Sequence, residues 1–240
     1  MKLVFAYFKA LMIELIRIPG VWVPVIVIPT LLFLFFGISS IDSEESAIWI
    51  TLAYAAWGVM GVAFFQFGVI IAIDRNSPWE TYLRTLPVSP FTRFFARILC
   101  TFVFSLIISL LLFIESNILS SFRIDIGTVV IALLFLLLGS VPFVFLGIAL
   151  GYWTGPKTAA PIANILWICL AYSSGIWGIP IYPIKNISPY LVFTLNIDTV
   201  TSSVMGNISL VQWIGLLLYS VAFGTMAFWG YLRDEGQRFQ

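Results

Sequence analysis

Residues 77–90 read Ser-Pro-Trp-Glu-Thr-Tyr-Leu-Arg-Thr-Leu-Pro-Val-Ser-Pro and form a polar-bounded stretch between two long apolar runs. Ser77 is a favourable helix N-cap, Pro78 suits the first helical position, and Glu80 completes a capping box three residues after the serine. Pro87 ends the helix because it has no N–H to donate. The stretch therefore predicts a short, capped helix of about nine residues, roughly 13 Å long.

Apolar side chains recur along this predicted helix at the spacing i, i+3, i+4 and i+7, which places them on one stripe. The stripe consists of Trp79, Tyr82, Leu83 and Leu86. Ser89 and Pro90 repeat the start signal, so a new helix is expected to begin there and to continue into the next apolar run. Residues 77–90 are thus predicted to be a short helix between two membrane spans.

The overall composition places the chain in a membrane. It is 61% hydrophobic and 10% charged over 240 residues, with a mean hydropathy of +1.05, whereas soluble domains have about 25% charged residues. Five to seven spans of roughly 20 residues fill this length and leave no room for a soluble catalytic domain. A net charge of +1 gives no indication of nucleic-acid binding. Cys100 and Cys169 both lie in apolar runs and are interpreted as packing residues.

The fold class expected is an all-α polytopic membrane protein with six spans in one permease domain, residues 1–240. The predicted spans are residues 21–38, 47–73, 98–119, 128–150, 158–177 and 210–231. The fourth is interrupted by Pro142 and ends in a tight turn over residues 151–157. Residues 233–240 are expected to be a short polar tail.

Two further segments are predicted outside the spans. In residues 1–18, the charged side chains fall within one arc of about 140° on a helical wheel, which favours an amphipathic helix on the membrane surface. These are Lys2, Lys9, Glu14 and Arg17. An alternative is a charged extension of the first span. Residues 178–207 are too apolar for a solvent loop and too broken for a span, so one or two short interfacial or re-entrant helices are expected there.

Basic residues are concentrated in the segments that would lie inside if both termini were cytoplasmic. Those segments hold Lys2, Lys9, Arg17, Arg75, Arg84, Arg93, Arg97, Lys157, Arg233 and Arg238. Only Arg123 and Lys185 would lie outside. The positive-inside rule therefore places residues 77–90 in the cytoplasm. We expect a multi-pass protein of the plasma membrane with both termini cytoplasmic.

The sequence lacks the groups that several membrane enzymes and transporters require. It has no histidine, no Gly-rich loop ending in Gly-Lys-Ser/Thr, and too few cysteines for a metal site, so we expect no metal, no cofactor, no catalytic residue and no enzymatic activity. Glu115 is the only acidic residue within a predicted span. Because it lies near the span's outer end, an interfacial position is favoured over a proton-coupling role.

The layout resembles that of permease subunits of ABC-type exporters, the six-span ABC-2 type membrane protein family. The motif that carries the resemblance is Trp79-Glu80-Thr81-Tyr82-Leu83-Arg84-Thr85-Leu86-Pro87-Val88-Ser89-Pro90, followed by Arg93 and Arg97. Pro78-Trp79 stands where the family commonly has a glycine. The resemblance implies that the short helix couples to a separate ATPase subunit, which binds ATP and Mg²⁺. The coupling residues would be Ser77, Trp79, Glu80, Tyr82, Leu83, Arg84, Leu86 and Pro87.

The resemblance also implies a dimer with a second copy or a sibling permease, in which each chain forms half of the pathway. The pathway or dimer-interface positions would be Trp57, Gly58, Gly61, Phe64 and Phe65, and the outer gate would include Asn196 and Asp198. The apolar spans favour an amphipathic or hydrophobic substrate such as a drug, lipid or peptide. A self-sufficient transporter or channel and a non-transporting immunity or scaffold protein remain as alternatives.

Overall fold

The structure, a computed structural model, describes residues 2–77, 90–178 and 184–238. Within these ranges every regular element is a helix, and five helical segments are long and apolar enough to cross a membrane. The all-helical prediction is therefore confirmed for the described part of the chain. The five segments are Trp22–Ser40, Glu44–Asp74, Phe95–Leu119, Ile126–Trp153 and Leu210–Asp234.

The helices are numbered here in chain order. They are α1 (Lys2–Arg17), α2 (Pro19–Leu32), α3 (Glu44–Ala63), α4 (Ile70–Asp74), α5 (Pro90–Leu119), α6 (Ile126–Gly139), α7 (Val141–Trp153), α8 (Ala159–Ser174), α9 (Ile184–Ile187), α10 (Val192–Val204) and α11 (Leu210–Arg238). The π-helical stretch Phe33–Gly37 and the 3₁₀ turn Ile38–Ser40 extend α2. A second π-helical stretch, Phe64–Val69, joins α3 to α4 in one continuous span.

The fifth predicted span is shorter than expected. Helix α8 has 16 residues, roughly 24 Å of helix against a hydrocarbon core of about 30 Å. It ends at Ser174, before the predicted end at residue 177, because Gly175 adopts the left-handed conformation with φ of 80°. The count of six spans accordingly stays a prediction.

Other boundaries differ from the sequence-based ones for local reasons. Helix α3 begins three residues earlier than predicted because Ser43 and Ser46 form a reciprocal capping box. Helix α7 continues to Trp153, so the residues assigned to the start of the tight turn are helical. Helix α11 likewise runs to Arg238 through most of the predicted polar tail. The fourth span is interrupted as expected, since Ser140 separates α6 from α7 and Pro142 lies in the first turn of α7.

The Glu44–Asp74 span is the centre of the bundle. In the most apolar 18-residue window of this span 83% is buried, whereas in the corresponding window of the last span only 11% is buried. Helices α2, α5, α7, α8 and α10 all pack on it. Most of the long helices of the described part of the chain thus share this span as a packing partner.

Small residues let α7 approach the central span closely. A Cβ atom on Gly147 would lie 2.7 Å from the carbonyl oxygen of Ala63, and one on Gly151 would lie 2.7 Å from that of Phe67. The two glycines are four residues apart, which is the small-xxx-small spacing of closely packed membrane helices. A larger side chain at either position would push α7 away from the central backbone.

The N-terminal helix packs alongside α5 and joins α2. Leu15 is buried, while Lys9, Glu14 and Arg17 are exposed, so its described charged side chains point away from the bundle. The indole N–H of Trp22 donates to the carbonyl of Ile16 across the break between α1 and α2, at 3.2 Å. The placement of this helix on a membrane surface stays a prediction.

Candidate functional site

The two ends of the central span have different chemistry. Trp49 and Asp74 are 25 positions apart on one continuous helix, so they lie roughly 38 Å apart. We call the surroundings of Arg75 and Arg97 the arginine end, and the surroundings of Trp49, Tyr54 and Trp177 the tryptophan end. Residues 78–89 connect the central span to α5 at the arginine end.

Arg97 ties the start of α5 to the central span. Its guanidinium donates to the Asp74 carboxylate at 2.7 Å and to the Gln66 carbonyl at 3.0 Å. That carbonyl lies in the π-helical stretch. There the N–H of Ile70 donates to the carbonyl of Phe65, five residues back, and not to the carbonyl of Gln66, four residues back. The irregular turn thus presents a backbone acceptor to an arginine side chain that is only 13% exposed.

Arg75 connects the same end of the central span to two other helices. It donates to the Asp234 carboxylate on α11 at 2.5 Å and to the Thr154 carbonyl after α7 at 2.8 Å. The two charged side chains are 18% and 16% exposed, so the pair is largely shielded from solvent. Together, Arg75 and Arg97 join α5, α7 and α11 to the last turns of the central span.

The predicted coupling residues lie mostly outside the described residues. Only Ser77 is described; its hydroxyl donates to the Asp74 carbonyl at 2.8 Å. The remainder of the set lies in residues 78–89, which the structure does not describe: Trp79, Glu80, Tyr82, Leu83, Arg84, Leu86 and Pro87. Their role in coupling stays a prediction.

The predicted pathway or dimer-interface residues are buried within the chain. The indole rings of Trp57 and Trp167 stack with centroids 4.5 Å apart, and each N–H donates to the other residue's carbonyl, at 3.3 and 2.8 Å. A Cβ atom on Gly61 would lie 2.9 Å from the Trp167 ring, and one on Gly58 would lie 2.6 Å from Ile108. Phe64 and Phe65 are buried beside them. The structure therefore brings these five positions together in its core, and their proposed transport role stays a prediction.

Of the two predicted gate residues, Asn196 is held tightly. Its side-chain amide donates to the Gly139 carbonyl at 2.7 Å, where the fourth span breaks. The N–H of Phe143 donates to the Ser140 carbonyl and not to the Gly139 carbonyl four residues back. The helix break therefore leaves the Gly139 carbonyl available to accept from Asn196. A Cβ atom on Gly139 would collide with the amide nitrogen of Asn196.

Asp198, the second predicted gate residue, is half-buried on α10 and faces Trp49. Burial raises the pKa of its carboxyl group, and an interaction with the Trp49 side chain opposes that rise. The two residues share a helix, but their surroundings differ: the amide of Asn196 is paired with backbone, whereas the carboxyl of Asp198 is in a poorly solvated position. Their function as a gate stays a prediction.

The tryptophan end contains a cavity of about 660 Å³ between the end of the first span, the start of the central span and the end of α8. A second cavity, of about 420 Å³, shares Trp49 and Ile50 with the first and reaches Thr201 on α10. Sequence reasoning missed both, since their walls come from segments more than 100 residues apart. It also missed Gly147 and Gly151, although their spacing could have been read as a packing signal.

Metal-binding chemistry is not evident at either end. Across residues 2–77, 90–178 and 184–238, no three histidine, cysteine, aspartate or glutamate residues are grouped so that they could hold a metal ion.

Comparison with known proteins gives one distant relative. Over 126 residues, 52% of this chain, the sequence is 24% identical to the Bacillus subtilis (strain 168) protein named "Putative transport permease YvfS". The match covers 51% of that protein, so the chain spans about half the length of its relative. No protein-family model matches the chain. This similarity and the five apolar helices support the broad class of a membrane permease.

Proposed function

We propose that the chain is the transmembrane permease subunit of an ATP-driven ABC exporter in the plasma membrane. It forms half of the translocation pathway, pairs with a second permease copy or a sibling permease, and receives its energy from a separate ATPase subunit that binds ATP and Mg²⁺. Both termini and residues 77–90 lie in the cytoplasm. The proposal is supported by the relative's name, by the charge distribution and by the resemblance of residues 79–90 to the family motif.

The hydrogen bonds at the arginine end are the observation that supports the proposed coupling mechanism. Residues 78–89 are attached to two helices whose adjoining ends are tied by the 2.7 Å pair of Arg97 and Asp74. A displacement of this segment would therefore reach the central span and α5 together, because a charge-assisted bond resists their separation. Arg75 would pass the same displacement to α11 through Asp234.

The pathway and substrate follow from the same proposal. ATP-driven closure of the ATPase subunits moves the two coupling segments, and the spans tilt so that a path opens between the two permeases. An amphipathic or hydrophobic molecule, such as a drug, lipid or peptide, suits spans in which charged residues are nearly absent. Docking of Trp79 and Tyr82 as aromatic anchors in a groove of the ATPase is a form of helix-in-groove recognition.

The proposal is tested by purifying the tagged chain from its native membrane and measuring ATP hydrolysis in the eluate. We expect a co-eluting subunit that contains a Gly-Lys-Ser/Thr loop, and no hydrolysis when the chain is recovered alone. Single alanine substitutions of Trp79, Tyr82 and Arg84 should separate loss of assembly from loss of coupling. A chain that elutes without any such subunit, and that alone in liposomes moves solute along an ion gradient, would contradict the proposal.

A further inference from the structure

The larger cavity at the tryptophan end has the properties of a small-molecule binding site. Its volume of about 660 Å³ lies within the range of roughly 300–1,000 Å³ that ligand pockets occupy. Aromatic side chains form much of its wall, including Phe36, Trp49, Tyr54 and Trp177. No charged residue of the described ranges lines it.

The hydroxyl groups on one side of the cavity are already engaged. Ser39 and Ser40 both donate to the carbonyl of Phe36, at 3.1 and 2.8 Å. The hydroxyl hydrogens of both serines are therefore used within the first span, and these hydroxyls can only accept a hydrogen bond from a ligand. The donors available to a bound molecule must come from elsewhere in the wall.

Tyr54, which lies beside Trp177, supplies such a donor. The Tyr54 hydroxyl and the Trp177 indole nitrogen are both buried, and neither has a hydrogen-bond partner of good geometry among the described residues. The Trp177 indole N–H interacts with the Tyr54 oxygen, and the phenol keeps its own hydrogen to donate to a bound molecule. An unsatisfied buried donor costs about 1–3 kcal/mol, so an acceptor that reached this position would be favoured.

The turn that carries Trp177 can admit such an acceptor. Tyr54 is only 1% exposed, so an oxygen can bond to its hydroxyl only if a neighbouring side chain moves. Trp177 stands beyond the end of α8, between Gly175 with φ of 80° and Gly178 with φ of 132°. Because this turn is flanked by glycines and lies beyond α8, a shift of Trp177 would cost its edge contact with the Trp57 ring, 4.9 Å between centroids, but would not require α8 to move.

We propose that this cavity binds an uncharged, largely aromatic or aliphatic molecule that carries an oxygen acceptor, and that the Tyr54 hydroxyl donates a hydrogen bond to that oxygen. A ketone, amide or ester oxygen has the required chemistry, and its source is either a dissolved solute or the ester region of a membrane lipid. Binding is a property of the chain alone and does not depend on the ATPase. Failure of this proposal is therefore distinguishable from failure of the exporter proposal.

Photolabelling of the purified full-length chain in detergent with benzophenone tests the site. Benzophenone is neutral, aromatic and small enough for the cavity, and its carbonyl is both the acceptor and the photoreactive group. We expect saturable labelling of peptides from the end of the first span, the start of the central span or the end of α8. Ser40→Phe, which fills the cavity from its exposed rim, should abolish that labelling. Saturable labelling located elsewhere, or unchanged in Ser40→Phe, would overturn the site.

The hydrogen bond is tested by Tyr54→Phe, with Tyr219→Phe as a matched control, because the Tyr219 hydroxyl bonds to the Tyr190 carbonyl outside the cavity. Unlabelled benzophenone and diphenylmethane, which lacks the carbonyl, are used as competitors. Tyr54→Phe should weaken benzophenone competition by about three- to tenfold and leave diphenylmethane competition unchanged. An equal change for both competitors, or none for either, would overturn the donor role. Each variant is first required to elute from size-exclusion chromatography as the unmodified chain does.

Native mass spectrometry of the same preparations distinguishes the two sources. A lipid that is retained by the unmodified chain, displaced by benzophenone and lost in Ser40→Phe would identify a lipid as the occupant. Saturable benzophenone binding without a retained lipid would indicate a dissolved solute. Absence of both lipid retention and benzophenone binding would overturn the proposal.

Discussion

The arginine end and the tryptophan end lie on the same central span but meet opposite requirements. At the arginine end two guanidinium groups join four helical segments through short, charge-assisted bonds to Asp74, Asp234 and backbone carbonyls. At the tryptophan end, buried donors of Tyr54 and Trp177 lack good partners and border a cavity. Polar groups hold the helices together at one end, whereas at the other they are left beside a cavity, where we propose that a further molecule binds.

The largest expected effect is charge reversal at the arginine end. Arg75→Glu places two carboxylates together and also loses the bond to the Thr154 carbonyl. We expect a loss of roughly 2–4 kcal/mol, somewhat less than for a fully buried pair, and a melting temperature lower by about 5–10 °C. The measurement is thermal unfolding in detergent, followed by size-exclusion chromatography.

The double variant Arg75→Glu/Asp234→Arg sharpens this prediction. It should recover part of the lost stability, since the ion pair is restored in reverse, but not all of it, since glutamate cannot donate to Thr154. Arg123→Glu in an exposed loop is the control and should be near neutral. Purely additive losses in the double variant would show that the two side chains do not act as a pair.

A smaller effect is expected for Arg97→Lys. Lysine keeps the charge but lacks the planar fork that reaches the Asp74 carboxylate and the Gln66 carbonyl together. We expect a loss of about 1–2 kcal/mol in stability. In the assembled complex, ATP hydrolysis should fall less than transport does, because the segment is less firmly joined to the central span. An Arg97→Lys chain as stable and as well coupled as the original would contradict the claim that Arg97 holds α5 and the central span together.

Removal of a hydroxyl group at the tryptophan end should have little effect on stability. In the absence of ligand, Tyr54→Phe removes a hydroxyl without a good partner, so we expect a change within about 1 kcal/mol or a small gain. Thr51→Val, one turn earlier on the same helix, is the contrasting variant. It removes a 3.0 Å bond and leaves the buried Ser116 hydroxyl without that partner, so it should cost about 1–3 kcal/mol. Equal losses for the two variants would contradict the contrast.

The smallest effect concerns the pH dependence at Asp198. Because its pKa is raised in the folded chain, the folded state keeps a proton that the unfolded state has released, so stability falls as pH rises from about 4 through the folded pKa. Asp198→Asn should remove this decline. Trp49→Phe should move it to higher pH, because the tryptophan interaction lowers the pKa. The measurement is the unfolding midpoint of each variant across the pH range, and a decline that survives in Asp198→Asn would assign it to another group.

Local signals in the sequence predicted much of the fold. Apolar runs indicated the spans, Pro90 marked the start of α5, and Pro142 marked the break in the fourth span. These features depend on neighbouring residues, which a single sequence displays. The same reasoning missed the early end of α8, because a glycine two residues before a tryptophan does not by itself reveal its left-handed conformation.

The candidate sites were much less accessible to sequence reasoning. The sequence predicts a pathway or interface role for Trp57, but its stacked partner Trp167 is 110 residues away, and spacing does not pair the two. The sequence marks Arg97 only as a basic residue that follows the motif. Its bond to the Gln66 carbonyl depends on a π-helical turn that no residue pattern indicated. The cavity depends on three segments meeting at one end, which only the packed structure provides.

Cysteine crosslinking from Thr85 is the most direct test of the central claim that residues 77–90 couple this chain to an ATPase. Thr85 lies outside the described residues; the native cysteines, buried Cys100 and exposed Cys169, are first replaced by alanine and serine. The account predicts that Thr85→Cys crosslinks to a subunit with a Gly-Lys-Ser/Thr loop and that ATP with vanadate alters the yield. It also predicts that a cysteine at Ser39, at the other end of the bundle, does not crosslink. A Thr85 cysteine that never crosslinks to such a subunit in the native membrane would contradict it.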